Sequence, residues 1–71
     1  MIQLITLNSE HTILGDKKLG KFVDITKHYE YSMGKYKSFW RVDYNSNTIN
    51  TLFRTKKEAV SFSRKWISKN F

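Results

Sequence analysis

The stretch that decides the fold is residues 55–67, TKKEAVSFSRKWI. Thr55 and Glu58 have the spacing of a capping box, in which the Thr hydroxyl accepts from the Glu N–H and the Glu carboxylate reaches back to the Thr N–H. Residues at the spacing of one helix face follow. They are Ala59, Phe62, Ser63, Trp66 and Ile67. We predict an amphipathic helix over residues 55–70, which is too short to be stable alone in water and needs a surface to pack on.

Two stretches before the helix alternate as β-strands do and supply that surface. Residues 39–44, FWRVDY, and residues 49–54, INTLFR, each place every second side chain on one face. Asn45-Ser46-Asn47 between them is typical of a turn, since Asn tolerates positive φ. We predict a hairpin whose inner face packs on the helix. The predicted core consists of Trp40, Val42, Ile49, Phe53, Ala59, Phe62 and Trp66.

The first half of the chain also favours strands. Residues 2–7 are mostly apolar and rich in β-branched side chains, and residues 11–14 have the composition of a short second strand. Residues 15–20 are predicted to form a loop, because glycines at both ends permit positive φ. Residues 21–32 alternate over a long stretch. A helix is the alternative there, but Val, Ile, Thr and Tyr favour a sheet.

The predicted fold class is α+β, a small antiparallel β-sheet of three to five strands packed on one C-terminal α-helix. The chain has 71 residues, the length of a single domain, residues 1–71. We assign residues 1–20 to N-terminal strands and a loop, residues 21–54 to the antiparallel sheet, and residues 55–70 to the C-terminal helix. A sheet with one helix on one face leaves its other face open.

Composition narrows the cellular setting. The chain contains no Cys, which excludes disulfides and thiolate metal sites and is typical of a reducing cytoplasm. The apolar start at residues 2–7 lacks a basic leader and is far shorter than the roughly 20 residues that span a bilayer. We therefore expect a cytoplasmic protein with no membrane partner.

The formal net charge of +7 is unevenly distributed along the chain. Basic and acidic residues cancel in residues 1–34, whereas residues 35–71 contain nine basic and two acidic residues. Such a lopsided charge is usual in domains that bind a polyanion. The other interpretation is a Lys-rich surface that only keeps a small protein soluble.

Residues for catalysis are sparse. His11 and His28 are the only imidazoles in the sequence. Asp24, Thr26 and Glu30 share the strand face of His28 and could orient it as a base. The chain offers no matching nucleophile and no glycine-rich phosphate loop, and two His without Cys match no metal-ligand spacing. We predict that the protein is not an enzyme and uses no cofactor or metal.

The outer face of the predicted hairpin is the better candidate site. Period two places Lys37, Phe39 and Arg41 on this face, and Asn50 and Arg54 join them across the turn. Arg and Asn bind base edges bidentately, and a two-stranded ribbon fits the major groove of DNA. Lysines flanking the hairpin could contact phosphates, and the alternative is an ordinary solvated sheet face. The predicted nucleic-acid-binding residues are Lys35, Lys37, Arg41, Asn50, Arg54, Lys56 and Lys57.

Residues 38–66 resemble a known family. Trp40-Arg41-Val42, a short turn, and residues 53–59, FRTKKEA, are similar to the "W-x-V … F-x-T-K-K-E-A" signature of the arm-site-binding N-terminal domain of phage-type tyrosine recombinases. The resemblance implies a three-stranded sheet packed on a C-terminal helix, with the sheet face in the major groove of duplex DNA. Residues 1–20 have no counterpart in that signature.

A different class of function stays open. A small phage-type protein that binds and modulates a host protein could use the same aromatic-rich sheet, with the first strands and the outward apolar side chains Phe39 and Leu52 forming the interface. Salt dependence separates the two interpretations. Nucleic-acid binding weakens steeply with salt, whereas a protein interface with an apolar centre does not.

Overall fold

The computed structural model describes residues 2–71, so Met1, the first residue of the predicted domain 1–71, lies outside the described residues. Five strands and one helix occupy this range. They are β1 (Ile2–Asn8), β2 (His11–Asp16), β3 (Lys21–Ser32), β4 (Lys35–Tyr44), β5 (Asn47–Phe53) and α1 (Lys56–Asn70). The strands form one antiparallel sheet in chain order, and α1 packs on one face of it. The predicted α+β fold class is confirmed.

Tight turns explain why every strand lies beside the next. The two central residues of the β3–β4 turn, Met33 and Gly34, have φ of 52° and 76°, and those of the β4–β5 turn, Asn45 and Ser46, have φ of 50° and 65°. Positive φ at both central residues is the signature of the type I′ turn, whose twist matches that of a hairpin. These short connections fix the antiparallel order of β3, β4 and β5.

The helix begins as its sequence predicts. The Glu58 N–H donates to the Thr55 hydroxyl over 3.2 Å, which makes Thr55 the N-cap. The buried positions of α1 are Ala59, Ser63 and Ile67, on the face that contacts the sheet. Ser63 satisfies its hydroxyl by donating to the Ala59 carbonyl at 2.8 Å, so a polar side chain lies in the core without an unpaired donor.

The centre of the core differs from the predicted one. Trp40, Val42 and Ala59 are buried as predicted, but Phe53, Phe62 and Trp66 are only half-buried and surround the core instead of filling it. The fully buried centre includes Leu14 from β2 and Val23 and Ile25 from β3. The physical reason is that α1 lies across β2, β3, β4 and β5 rather than over the β4–β5 hairpin alone.

Gly15 belongs to β2, so the prediction of a loop over residues 15–20 is wrong at its first two residues. Gly15 pairs with Phe22, and Asp16 with Lys21. A side chain at Gly15 would collide with the backbone of Lys21, and its Cβ would lie 2.7 Å from the Cα of Phe22. Glycine is required here for the close approach of β3, while Gly20, with φ of 66°, supplies the left-handed conformation of the turn.

The pairing of β5 with β4 is irregular. Phe53 lies opposite Trp40, Asn50 opposite Val42 and Thr48 opposite Asp43, so the register shifts twice. Leu52 takes a left-handed φ of 74° within this strand and is largely exposed. Each shift interrupts the alternation of faces, so Asn50 lies opposite the inward-facing Val42, whereas Ile49 and Phe53 pack against the core as predicted.

The β3–β4 hairpin projects beyond the rest of the sheet. The pairing of β2 with β3 ends at Thr26, and that of β5 with β4 begins at Trp40. The remaining pairs, from His28–Phe39 to Ser32–Lys35, form a two-stranded extension that we call the ribbon, residues 28–39. It adds to the long axis of a molecule measuring 45 × 22 × 20 Å. Among residues 2–71, α1 falls short of the length and apolarity that crossing a membrane requires.

Candidate nucleic-acid interface

The outer face of β4, the face opposite α1, carries a row of alternating side chains. Trp40 and Val42 are buried towards α1, so the intervening residues point the other way. In order from the tip of the ribbon, this row is Lys35, Lys37, Phe39, Arg41 and Asp43. The structure therefore brings three of the predicted site residues, Lys35, Lys37 and Arg41, onto one continuous strand face.

The cross-strand neighbours of this row come from β3. Lys35 lies opposite Ser32, and Lys37 opposite Glu30. Phe39 lies opposite His28, and the two rings stack with centroids 5.5 Å apart, so this aromatic side chain is half-buried rather than free on the surface. The ribbon therefore presents lysines near its tip and an aromatic pair nearer the sheet.

A polar cleft of about 420 Å³ follows at the base of the ribbon, on the same outer face. His11 Nε2 lies 2.9 Å from an Asp24 carboxylate oxygen, and the Thr26 hydroxyl lies 2.8 Å from His28 Nε2. The Asp24, Thr26 and His28 group considered in the sequence is thus on one face, and His11 joins it because β2 pairs with β3 at Thr26. Sequence reasoning missed His11, since only the register reveals it.

Arg41 borders this cleft and is held by an acidic neighbour. Its Nε–H donates to the Asp43 carboxylate at 3.0 Å. The Arg41 side chain retains 39% exposure, whereas Asp43 retains 14%, so the carboxylate anchors a guanidinium that stays accessible. The terminal amino groups of Arg41 remain available for a bidentate contact, because the ion pair uses Nε.

The other predicted site residues lie elsewhere. Asn50 sits between the two irregularities of β5, and its side-chain oxygen accepts from the Thr51 N–H at 2.7 Å. Arg54 follows β5 directly, and Lys56 and Lys57 are the first residues of α1. The structure does not gather these four residues with Lys35, which lies five residues from Trp40 along β4, roughly 17 Å at the rise of a strand.

Lys56 and Lys57 line a groove on the helix side of the sheet. The groove has a volume of about 530 Å³ and runs between α1 and the uncovered strand β1. Leu4 and Val60 supply its apolar surface, and Arg64 adds a third cation. The basic excess of the second half of the chain is therefore divided between the helix side of the molecule and the outer face of β4.

The ribbon also has a second face, which sequence reasoning left without a function. Lys27 lies opposite the buried Trp40, so the alternating residues that follow it point to the helix side. These residues are Tyr29 and Tyr31 of β3 and Tyr36 of β4. The signal was present in the sequence as the period-two run Lys27, Tyr29, Tyr31, but the exposure of the rings follows only from the projection of the ribbon.

Within residues 2–71, no three His, Cys, Asp or Glu side chains converge as a metal site. The polar groups of the cleft are instead paired with one another, His11 with Asp24 and Arg41 with Asp43. Such pairing restricts the orientations of these side chains on the surface. Comparison of the chain with protein-family models, with curated proteins and with solved structures finds no match.

Proposed function

We propose that the protein binds nucleic acid, with duplex DNA as its target, through the outer face of the β3–β4 hairpin. The observation that carries the proposal is the alignment of Lys35, Lys37 and Arg41 on one face of a ribbon that projects beyond the core. A two-stranded ribbon has the width to enter the major groove, and the type I′ geometry of its turn matches the twist of the two strands.

The site residues take different roles in this proposal. Arg41 reads a base edge, because Asp43 fixes the direction of its guanidinium and leaves the terminal amino groups accessible. Lys35 and Lys37 contact phosphates on either side of the groove. Asn50 and Arg54, predicted to bind base edges, add contacts from the end of β5. Lys56 and Lys57, predicted to contact phosphates, line the groove on the helix side and lie apart from this face.

The resemblance of residues 38–66 to the DNA-binding domain of phage-type tyrosine recombinases supports the same target. That family is expected to present a three-stranded sheet to the major groove, and β3, β4 and β5 followed by α1 have the corresponding order. In this proposal the protein acts in the cytoplasm on DNA of a phage-type system.

The test is a fluorescence anisotropy titration of a labelled random-sequence duplex at several salt concentrations. The two phosphate-contacting lysines of this face, Lys35 and Lys37, predict that log K falls with log salt with a slope of about −1.8. For variants of Lys35, Lys37 or Arg41, the charge-matched control is Lys69→Ala, which removes an exposed lysine outside the proposed site. Absence of duplex binding even at about 50 mM salt would overturn the proposal, since counterion release favours binding most strongly there.

A protein partner is the second candidate, and β1 is the observation that favours it. Within the described residues, one edge of β1 is unpaired, and Ile2–Asn8 contains no charged residue to discourage strand addition. Leu4 and Leu7 are exposed on this strand. If this surface carries the function, Leu4→Lys abolishes capture of the partner and duplex affinity stays near background at every salt concentration.

A further inference from the structure

The helix-side face of the ribbon carries exposed aromatic rings. Tyr29, Tyr31 and Tyr36 are 54%, 63% and 76% exposed, although tyrosine rings usually bury most of their surface. They lie beyond the last residues that β2 and β5 pair with, so no strand or helix among residues 2–71 covers them. Met33 at the tip is 97% exposed and ends this surface.

Contacts within the face hold the rings in place. Tyr31 and Tyr36 are cross-strand partners whose ring centroids lie 4.9 Å apart at an angle of 56°. The Tyr29 hydroxyl donates to the Glu10 carboxylate at 3.0 Å, and Lys27 Nζ lies 5.4 Å from the centre of the Tyr29 ring. Because these contacts restrict the rings before any ligand arrives, less side-chain entropy is lost on binding.

The spacing of the tyrosines suits separate planar ligands. Tyr29 and Tyr31 are two residues apart on the same strand face, so their Cβ atoms are separated by about 7 Å. Sheets that bind unpaired RNA bases use exposed aromatic side chains in this way, one ring for each base. The strand residues of the helix-side face, Lys27, Tyr29, Tyr31, Tyr36 and Ser38, include no aliphatic side chain, and Met33 borders them in the turn.

Cations gather at the base of the same face. Lys27, Trp40 and Phe53 form a row across β3, β4 and β5. Arg54 and Lys56 follow Phe53 on either side of the N-cap Thr55, so two basic residues adjoin the end of this row in the chain. A basic track beside a row of aromatic rings complements a chain of phosphates and bases, which an apolar protein segment does not provide.

We propose that this face binds single-stranded nucleic acid, with unpaired bases stacked on Tyr31 and Tyr36 and on Tyr29, and with phosphates held by Lys27 and the lysines at the start of α1. The inference rests on the proposed function for the class of ligand, but it uses the opposite face of the ribbon. The two activities can therefore be separated by mutation. Variants of Lys35, Lys37 and Arg41 test duplex binding, and variants of the tyrosines test single-strand binding.

The test compares a labelled oligothymidylate of about 12 nucleotides with a random-sequence duplex, using the full chain throughout. Tyr31→Ala and Tyr36→Ala are each expected to weaken oligothymidylate binding about 5- to 150-fold, the loss that follows from removing one stacking platform. Tyr31→Phe and Tyr36→Phe keep the ring and are expected to bind within about threefold of the parent. Duplex affinity is expected to stay unchanged in all four variants.

A crosslinking experiment on the unaltered chain tests the same face even if the Ala variants fail to fold. An oligonucleotide carrying 5-iodouracil is irradiated with the protein, and crosslinked peptides are identified by mass spectrometry. Crosslinks on Tyr29, Tyr31 or Tyr36 support the inference. Three outcomes would each overturn the inference and leave the duplex proposal standing. The first is crosslinks confined to Phe39 and the outer face, and the second is no oligothymidylate binding while the duplex binds. The third is capture of a protein by this face in place of an oligonucleotide.

Discussion

The Arg41 Nε–H donates to the Asp43 carboxylate at 3.0 Å, from one outward-facing residue of β4 to the next. Asp43 lies opposite Asp24 across the β3–β4 pair, and Asp24 is itself engaged by His11 at 2.9 Å. The two carboxylates at the base of the ribbon are thus each associated with a basic side chain. This leaves the guanidinium oriented along the outer face, where the duplex is proposed to lie.

Replacing Arg41 with Ala is expected to weaken duplex binding by about 1–3 kcal/mol and to relax the preference for one base, because a bidentate contact to a base edge is lost. Anisotropy titrations against duplexes that differ at single positions measure both effects. Lys69→Ala removes the same charge at an exposed position outside the site and should cost far less. Parental affinity in a folded Arg41→Ala, Arg54→Ala double variant contradicts the choice of face.

Replacing Lys37 with Ala is expected to reduce the slope of log K against log salt by about one unit while leaving sequence preference unchanged, since the lysine contacts phosphate and not a base. The titration is repeated between about 50 mM and about 200 mM salt. Lys65→Ala, on the exposed side of α1, serves as the matched control. An equal change of slope in both variants means that only net charge matters.

Local patterns predicted the elements of this fold, because they depend on neighbours in the sequence. Thr55 caps α1 and Ser63 lies on its buried face, and both follow from spacing alone. The alternation of Lys37 and Arg41 on one face of β4 also follows from period two. The predicted fold class is therefore recovered from the sequence without knowledge of any long-range contact.

The remaining features depend on how distant segments meet. Leu14 becomes part of the core centre because α1 crosses β2, which no local pattern specifies. The double shift in β5 removes Asn50 from its predicted place, and register is set by pairing rather than by composition. The ribbon with its exposed Tyr36 exists because β2 and β5 are shorter than β3 and β4, the strands that they flank. Only the residues at which the strand pairing ends reveal this difference.

Replacing Gly15 with Ala is expected to destabilise the protein by about 3 kcal/mol, because the added Cβ meets the backbone of β3 and a strand must move to admit it. This is a large fraction of the roughly 4–11 kcal/mol that a domain of this size has in total. Urea unfolding followed by circular dichroism measures the change. Gly34→Ala is the control, with open space around its Cβ but a φ of 76°, and should cost only about 1–2 kcal/mol. A Gly15→Ala protein as stable as the parent shows that β2 and β3 lie further apart in solution.

Replacing Thr12 with Val is expected to stabilise the protein by about 1 kcal/mol. Thr12 is fully buried between Thr6 of β1 and Ile25 of β3, and its hydroxyl has no hydrogen-bond partner among residues 2–71. Burial of an unpaired hydroxyl costs free energy, and Val fills nearly the same volume without the polar group. Thr12→Ser is the opposite control, since it keeps the hydroxyl and removes a buried methyl group, and it should lower stability by about 1 kcal/mol. The urea midpoints of the three proteins should therefore rank Val above Thr and Thr above Ser. A Val variant that unfolds at a lower urea concentration than the parent means that the Thr12 hydroxyl has a hydrogen-bond partner in solution.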